Sequence, residues 1–498
     1  MYKILLTDYT GESLVMTKRR EFIRKGLLGS VSIVLGGITL KTNGIGSFIG
    51  SSDSLVFSSV LNVRVESEEE VYKYLPADNG AGPMWCHGSS SIVRTGEKVY
   101  ASGLETVPEW LPLNNCRWML FERSDNGWKK KLVDNDGRTR EPSPMAVYHD
   151  GRYFLSANPT LAMPDKRYGP ARPEILQFKN KNDETKYERL LPVWDGNPPF
   201  TEHSYRSLAA DGASGELVLF QNIGDTHAEW SFLDSKGKWS AQGKLAWPWG
   251  ANYEVPQPIR VCYPNVMMKN RAVYFCGVSD ILEPKKVWRD YKREITGKEW
   301  DYDLRRLFFT WSEDIISGKF HPWVEIASRE ETCGWILPSD LWVAPDGSVH
   351  LLWTERVLDE RMRKKFFPGV KQSYALNYAI VRDGKVEVRR TLALAEEGGS
   401  NAIPAEARFH VAPGNRLFVV YFIKGNNAAG QLVAENYLLE LTLGGVPGTP
   451  VKLPLKQPFS SFFTATVRAG STPSPILDLL GTLNGVNDVI HYAKVLLW

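Results

Sequence analysis

From residue 55 onward one theme recurs along the chain. An apolar strand is followed by a turn carrying Gly, Asp or Asn, a second strand, a variable loop, a third strand, a polar turn and a ragged fourth. The theme starts anew at Ser91, Met145, Leu208, Asn265, Asp340, Arg408 and Thr464, seven times in all. Alternating strands bounded by Asp-Gly and Asn-Gly signals are hairpin chemistry. Self-similarity at roughly 55–75 residues is the mark of a propeller. A four-stranded blade cannot bury its own two faces, so blades must pack around an axis and close on themselves. The expectation is therefore all-β: a single seven-bladed β-propeller of four-stranded antiparallel blades spanning residues 51–498, with about 64 residues per blade. A tandem of two-sheet sandwiches is the competing architecture, disfavoured by the regular recurrence of the turns. Residues 55–61 are expected to supply an outer strand that zips onto the last blade, which ends at Trp498. The charged stretch 283–306 reads as an insertion in the fourth unit containing a short helix. The turns Ser124-Asp125-Asn126-Gly127-Trp128 and Asp234-Ser235-Lys236-Gly237-Lys238-Trp239 loosely resemble the Asp-box of sialidase-type propellers, a folding element without catalytic meaning.

Residues 1–50 read as a label rather than as structure. Arg19-Arg20-Glu21-Phe22-Ile23 with Arg24 and Lys25 behind it is a twin-arginine export pattern, and the apolar stretch 26–40 is too short and Gly-rich to stay in a bilayer. Met16 directly before it would serve as the start, leaving residues 1–15 as a non-native extension. No Cys follows at the lipid-anchor position, and cleavage is expected near residues 47–54. The protein is thus expected in a periplasm or outside the cell, with no stable membrane insertion once the signal is removed. Five cysteines in such a compartment leave at least one unpaired. Cys86 with Cys116 and Cys262 with Cys276 are the candidate disulfides. No Cys-x-x-Cys or other ligand cluster suggests a metal, although calcium held by backbone carbonyls on the axis would leave no motif.

Sixty basic against 57 acidic side chains exclude bulk nucleic-acid binding, which needs a basic field. The 17 Trp, 20 Tyr and 21 Phe are chiefly blade filler, with any at the axial mouth available to stack on a sugar. Strand order says which these are. Residues just before an innermost strand, and loops joining second to third strands, lie on one face around the axis. The rule selects His87 before the first unit, His203 before the third, Tyr263 before the fourth, and His227 in a second-to-third-strand loop. The other histidines, His149, His321, His350, His410 and His491, fall in turns, connections or strands and are assigned structural or solvent roles. Arginines near the mouth are Arg94, Arg117, Arg206, Arg260 and Arg289; Trp85, Trp230 and Trp288 are the ring-stacking candidates.

A guanidinium matches a carboxylate bidentately, so a mouth of His, Tyr and Arg suits an anionic sugar such as a uronate. β-Elimination at a uronate uses such groups: a cation neutralises the carboxylate, a near-neutral His or Tyr removes the carbon-bound proton, and another group protonates the leaving oxygen. Hydrolysis usually needs two carboxylates, and Glu105, Glu202, Asp225 and Glu229 are candidates that no local context separates. A binding platform would need none of these groups.

The seven units, the His203-Ser204-Tyr205-x-x-Leu208-x-x-Asp211 segment and His227 beyond it resemble the propellers of polysaccharide lyase families 24 and 25, the ulvan lyases. The stretch 72–89, ending Trp85-Cys86-His87-Gly88-Ser89, is similar to glycoside hydrolase family 145, α-L-rhamnosidases acting on rhamnose that caps glucuronate in arabinogalactan. The lyase resemblance implies His203 and His227 as the catalytic pair, with Tyr263 and Arg289 beside them. The rhamnosidase resemblance implies His87 as the proton-transferring group. Together they imply a secreted enzyme whose partner is an anionic polysaccharide or oligosaccharide containing rhamnose and glucuronate. Trp85, Arg117, Arg206 and Arg289 would hold the sugar. Hydrolytic release of rhamnose is the first expectation, β-elimination the second and non-catalytic glycan binding the third.

Overall fold

The computed structural model describes residues 61–85, 87–179 and 186–498. Seven antiparallel four-stranded sheets follow one another around an axis. Their innermost strands are Ile92–Thr95, Met145–Val147, Ser207–Asp211, Val261–Lys269, Trp335–Val343, Ile403–Ala412 and Phe459–Thr464. The first six starts read from the sequence fall within these strands or one residue before them; the seventh, Thr464, is instead the last residue of its strand. Innermost strands are buried on both faces, whereas outer strands such as Trp239–Ala246 alternate half-buried and exposed residues. That is the pattern of a sheet whose outer edge meets water. Two α-helices occur among the described residues, Lys286–Thr296 and Glu360–Phe366. The first confirms the insertion expected in the fourth unit and ends at Gly297, whose φ of 68° closes the helix. The second lies between the second and third strands of blade five.

Ring closure differs in detail from the expectation. The outermost strand of the last blade is Val63–Lys73, paired antiparallel with Val489–Leu497 from Val63 opposite Leu497 to Lys73 opposite Val489. The expected strand at 55–61 falls outside the described residues except for Leu61, and so does the export signal. The true closing strand is hard to read because it is charged, with Glu66, Glu68, Glu69 and Glu70 along it. There Glu66 pairs with Lys494 at 2.9 Å and Glu69 with Arg123 at 2.7 Å.

Neither expected disulfide forms. Cys116, Cys262 and Cys276 are buried free thiols, as is Cys333, while Cys86 lies outside the described residues. On their adjacent strands Cys262 stands opposite Val278 and Cys276 opposite Asn265, so register separates the two sulfurs.

The axis is filled from both ends. From one face Gly88, Ser89 and Ser90 dip into it before blade one begins. A Cβ added at Gly88 would stand 2.0 Å from the Pro264 carbonyl oxygen, Ser89 Oγ lies 3.2 Å from Ser207 Oγ, and Ser90 Oγ donates to the Thr464 carbonyl at 2.8 Å. From the other face comes the short 3₁₀ turn Val467–Ala469. Its Arg468 is buried, donating to Asp340 at 2.7 Å, to the Gly88 carbonyl at 2.9 Å and to Asn265 at 3.1 Å. One guanidinium thus ties blades one, four, five and seven together.

Candidate functional site

The segment that fills the axis also builds the mouth above it. Trp85 and His87 come from this lead-in, His203 and Tyr205 from the connection into blade three, and Tyr263 from the start of blade four. Tyr263 sits at a bulge, where the register slips between Cys262 and Asn265. Tyr205 and Tyr263 have φ of 41° and 52°, a region that costs a bulky residue about 1 kcal/mol or more and tends to persist at functional sites. The outcome is a contiguous set of rings. Trp85 stacks on Tyr205 with centroids 4.8 Å apart and touches His203 at 5.4 Å and Tyr263 at 5.9 Å. His203 meets Tyr205 at 4.7 Å, Tyr205 meets Tyr263 at 5.2 Å, and Tyr263 meets His87 at 5.6 Å.

His203 has a carboxylate behind it. Its Nδ1 lies 2.8 Å from Oε1 of the fully buried Glu141, whose two oxygens also accept from the backbone N–H and the hydroxyl of Ser204. Burial works to raise the Glu141 carboxyl, but His203, Arg140 and Arg206 bring it below its ordinary value. Burial lowers the His203 imidazole, Glu141 pulls it back, and Arg140 and Arg260 push it down; the net direction is down. At neutral pH the pair is an ionised carboxylate accepting Nδ1–H from a neutral imidazole, which puts the ring's basic lone pair on Nε2. His87 is held neutral more strongly. Burial, with Arg408 close by, lowers it to about 3, and its Nδ1 is buried without a hydrogen-bond partner.

Arg260 supplies the mouth's organised positive charge. Its Nε donates to the Asp280 carbonyl at 2.8 Å, and its Nη2 lies 3.1 Å from the Asp280 carboxylate. The guanidinium lies over the rings of Tyr302 and Tyr205, at 5.3 and 5.8 Å from their centroids. Its Nη1 meets Asp225 at 3.1 Å.

Of the residues selected from sequence, His87, His203, Tyr263 and Trp85 come together at the mouth. The others stand elsewhere. His227 is engaged on its own strand, Nε2 3.0 Å from Glu229 and Nδ1 2.7 Å from Thr226; its loop reaches the mouth through Asp225 instead. Arg206 follows Tyr205 just before the strand and is buried, donating to the Pro142 and Ser156 carbonyls. Arg117 pairs with Glu105 across two strands of blade one, and Arg289 bonds the Glu283 carbonyl within the insertion. Trp230 is buried over Gly243, and Trp288 packs on Phe367. His350 and His410 are buried within blades, bonded to Tyr378 and to the Ser474 carbonyl.

Arg260 stood among the arginines expected near the mouth but was not chosen to hold the sugar; Glu141 and Tyr205 are the functional candidates that sequence reasoning passed over. Each lies in a lead-in to an innermost strand, so the rule that found His203 would have found them had it been applied to every residue type. As for a cation on the axis, Arg468 already places a positive charge there, bonded to the Gly88 carbonyl. No group of three or more His, Cys, Asp or Glu suited to a metal occurs among the described residues. At the opposite end of the axis lies a cavity of about 200 Å³, lined among others by His149, Asp211, Lys269 and Trp342.

No protein-family model matches the chain, and no curated protein does. Among solved structures the chain is similar to a protein of unknown function from Dyadobacter fermentans, with 9% identity and a TM-score of 0.42, over 88% of this chain and 99% of that one. It is similar to the α-L-arabinofuranosidase Arb93A of Fusarium graminearum, with 12% identity and a TM-score of 0.38, over 70% and 91%. An apocarotenoid oxygenase of Synechocystis gives 11% identity and a TM-score of 0.40, over 84% and 87%. The chemistry is therefore read from this chain's own residues.

Proposed function

We propose that the chain is an exported carbohydrate-active enzyme that works at the axial mouth on a glycan containing glucuronate and rhamnose, with His203 moving the proton. The observation that carries this is the Glu141-aligned, neutral His203 packed against Tyr205, Tyr263 and Trp85. A neutral imidazole with a fixed tautomer is a base and a phenol is an acid, while the buried Trp85 backs the cluster.

Among reaction types, β-elimination suits these groups best, because the buried carboxylates beside the cluster are already committed: Glu141 to His203 and Ser204, Asp280 to Arg260, Glu406 to Arg408. Arg260 would neutralise the uronate carboxylate, and His203 Nε2 would take the proton from the adjacent ring carbon. The electron pair left on that carbon forms the C=C bond as the bond to the glycosidic oxygen breaks, and Tyr263 gives that oxygen its proton. The groups match those implied by the lyase resemblance at His203 and Tyr263, with Arg260 in place of Arg289 and without His227.

Hydrolytic release of terminal rhamnose is the second reading, favoured by one observation: the unpartnered Nδ1 of His87 next to Tyr263. Incubation with ulvan and gum arabic oligosaccharides separates the two. Elimination yields the ultraviolet absorbance of an unsaturated uronate, and hydrolysis yields free rhamnose without it. Lys269→Ala, in the cavity at the other end of the axis, should leave either activity unchanged, and a loss there would move the site to that face.

A further inference from the structure

We propose that Asp225 is a built-in competitor: its carboxylate occupies the anion position on Arg260 until a substrate carboxylate replaces it. The inference rests on the reading that the mouth binds a uronate.

The two carboxylates on Arg260 are not equivalent. Asp280 is buried, its side chain 5% exposed, and holds the guanidinium from behind through both its carbonyl and its carboxylate. Asp225 is 77% exposed, stands at the hairpin tip between the strands Glu216–Ile223 and His227–Leu233, and meets Nη1 at 3.1 Å. Asp280 already balances the arginine charge, so Asp225 is a second carboxylate on one cation. The guanidinium carbon lies over the rings of Tyr205 and Tyr302, and Nη1 is the nitrogen that meets this exposed partner.

Exchange of Asp225 for a ligand carboxylate swaps one charge-assisted hydrogen bond for another and leaves local net charge unchanged. An exposed ion pair of this kind is weak, so a ligand can displace it. The arrangement also sets specificity. A neutral sugar cannot displace Asp225 and finds the arginine occupied, whereas a uronate competes on equal terms. Asp225 therefore lowers affinity for every carboxylate while leaving neutral sugars indifferent to it.

The test is calorimetric titration of the whole protein, its Asp225→Asn variant and its Arg260→Lys variant with sodium glucuronate, sodium acetate and glucose. Asp225 is exposed, so its replacement leaves the core intact, and circular dichroism of each variant confirms folding. Asp225→Asn should bind glucuronate and acetate about three- to ten-fold tighter than the unaltered protein, with no gain for glucose, and Arg260→Lys should lose the preference for carboxylates. A gain for acetate but not glucuronate would uphold the exchange at Arg260 and defeat the uronate reading. No gain for either anion in Asp225→Asn, or weaker binding, overturns the proposal and makes Asp225 a support for Arg260.

Discussion

At the scale of single residues the account turns on how Glu141 and His203 share a proton. Glu141 works to raise an imidazole that burial, Arg140 and Arg260 lower. Glu141→Gln removes that support, so the deprotonated fraction of His203 grows at low pH while its basicity falls. The acidic limb of the rate profile should move to lower pH, and the plateau rate should drop about ten- to a hundred-fold. A pH–rate series on both proteins checks this, and His203→Ala should cost about 10²–10⁴ in rate. This part of the site was half legible in the sequence. The position rule that located His203 and His87 needs only strand order. Arg206 was misplaced because it lies just before its strand, after a Tyr205 of positive φ, where no alternation tells which way a side chain turns. The positive φ of Tyr205 and Tyr263 leaves no mark in composition, since an aromatic residue is the last type expected there.

Among elements, the lead-in 82–90 is the one on which the site depends. It reaches the axis only because Gly88 has no side chain, since a Cβ there would meet the Pro264 carbonyl oxygen at 2.0 Å. Gly88→Ala must therefore push the segment back, carrying Trp85 and His87 out of the ring cluster. Activity and glycan binding should fall by more than ten-fold while the blades persist, a split readable by comparing turnover with far-ultraviolet circular dichroism. Arg468 holds the Gly88 carbonyl from below. Arg468→Met would strand the buried Asp340 carboxylate and should cost about 3–5 kcal/mol in chemical denaturation. The closing strand Val63–Lys73 shows why its element was hard to find: a strand paired on one edge and wet on the other carries the charge pattern of a surface loop, and only its ladder with Val489–Leu497 identifies it.

For the whole molecule, the seven-fold repeat was fully legible, because turn chemistry and apolar alternation are local and recur in every blade. Disulfide pairing was not, because it depends on register between strands. With four buried free thiols, reducing agent should leave the melting temperature unchanged, and those thiols should react with a thiol probe only in denaturant. Acid should weaken the fold. His350 and His410 are lowered to about 4 by burial, so between the ordinary histidine value and pH 4 the unfolded chain binds protons that the folded chain does not. Stability then falls as pH drops through this window, by on the order of 3 kcal/mol for each histidine at full effect, which denaturant titrations at pH 7 and pH 4.5 would register. The central claim, that His203 at the axial mouth drives glycan cleavage, is tested most directly by incubating the unaltered protein and His203→Ala with a rhamnose- and glucuronate-containing polysaccharide while following unsaturated-uronate absorbance and free rhamnose. The account predicts rising absorbance with the unaltered protein and none with the variant; products formed equally well by His203→Ala would contradict it.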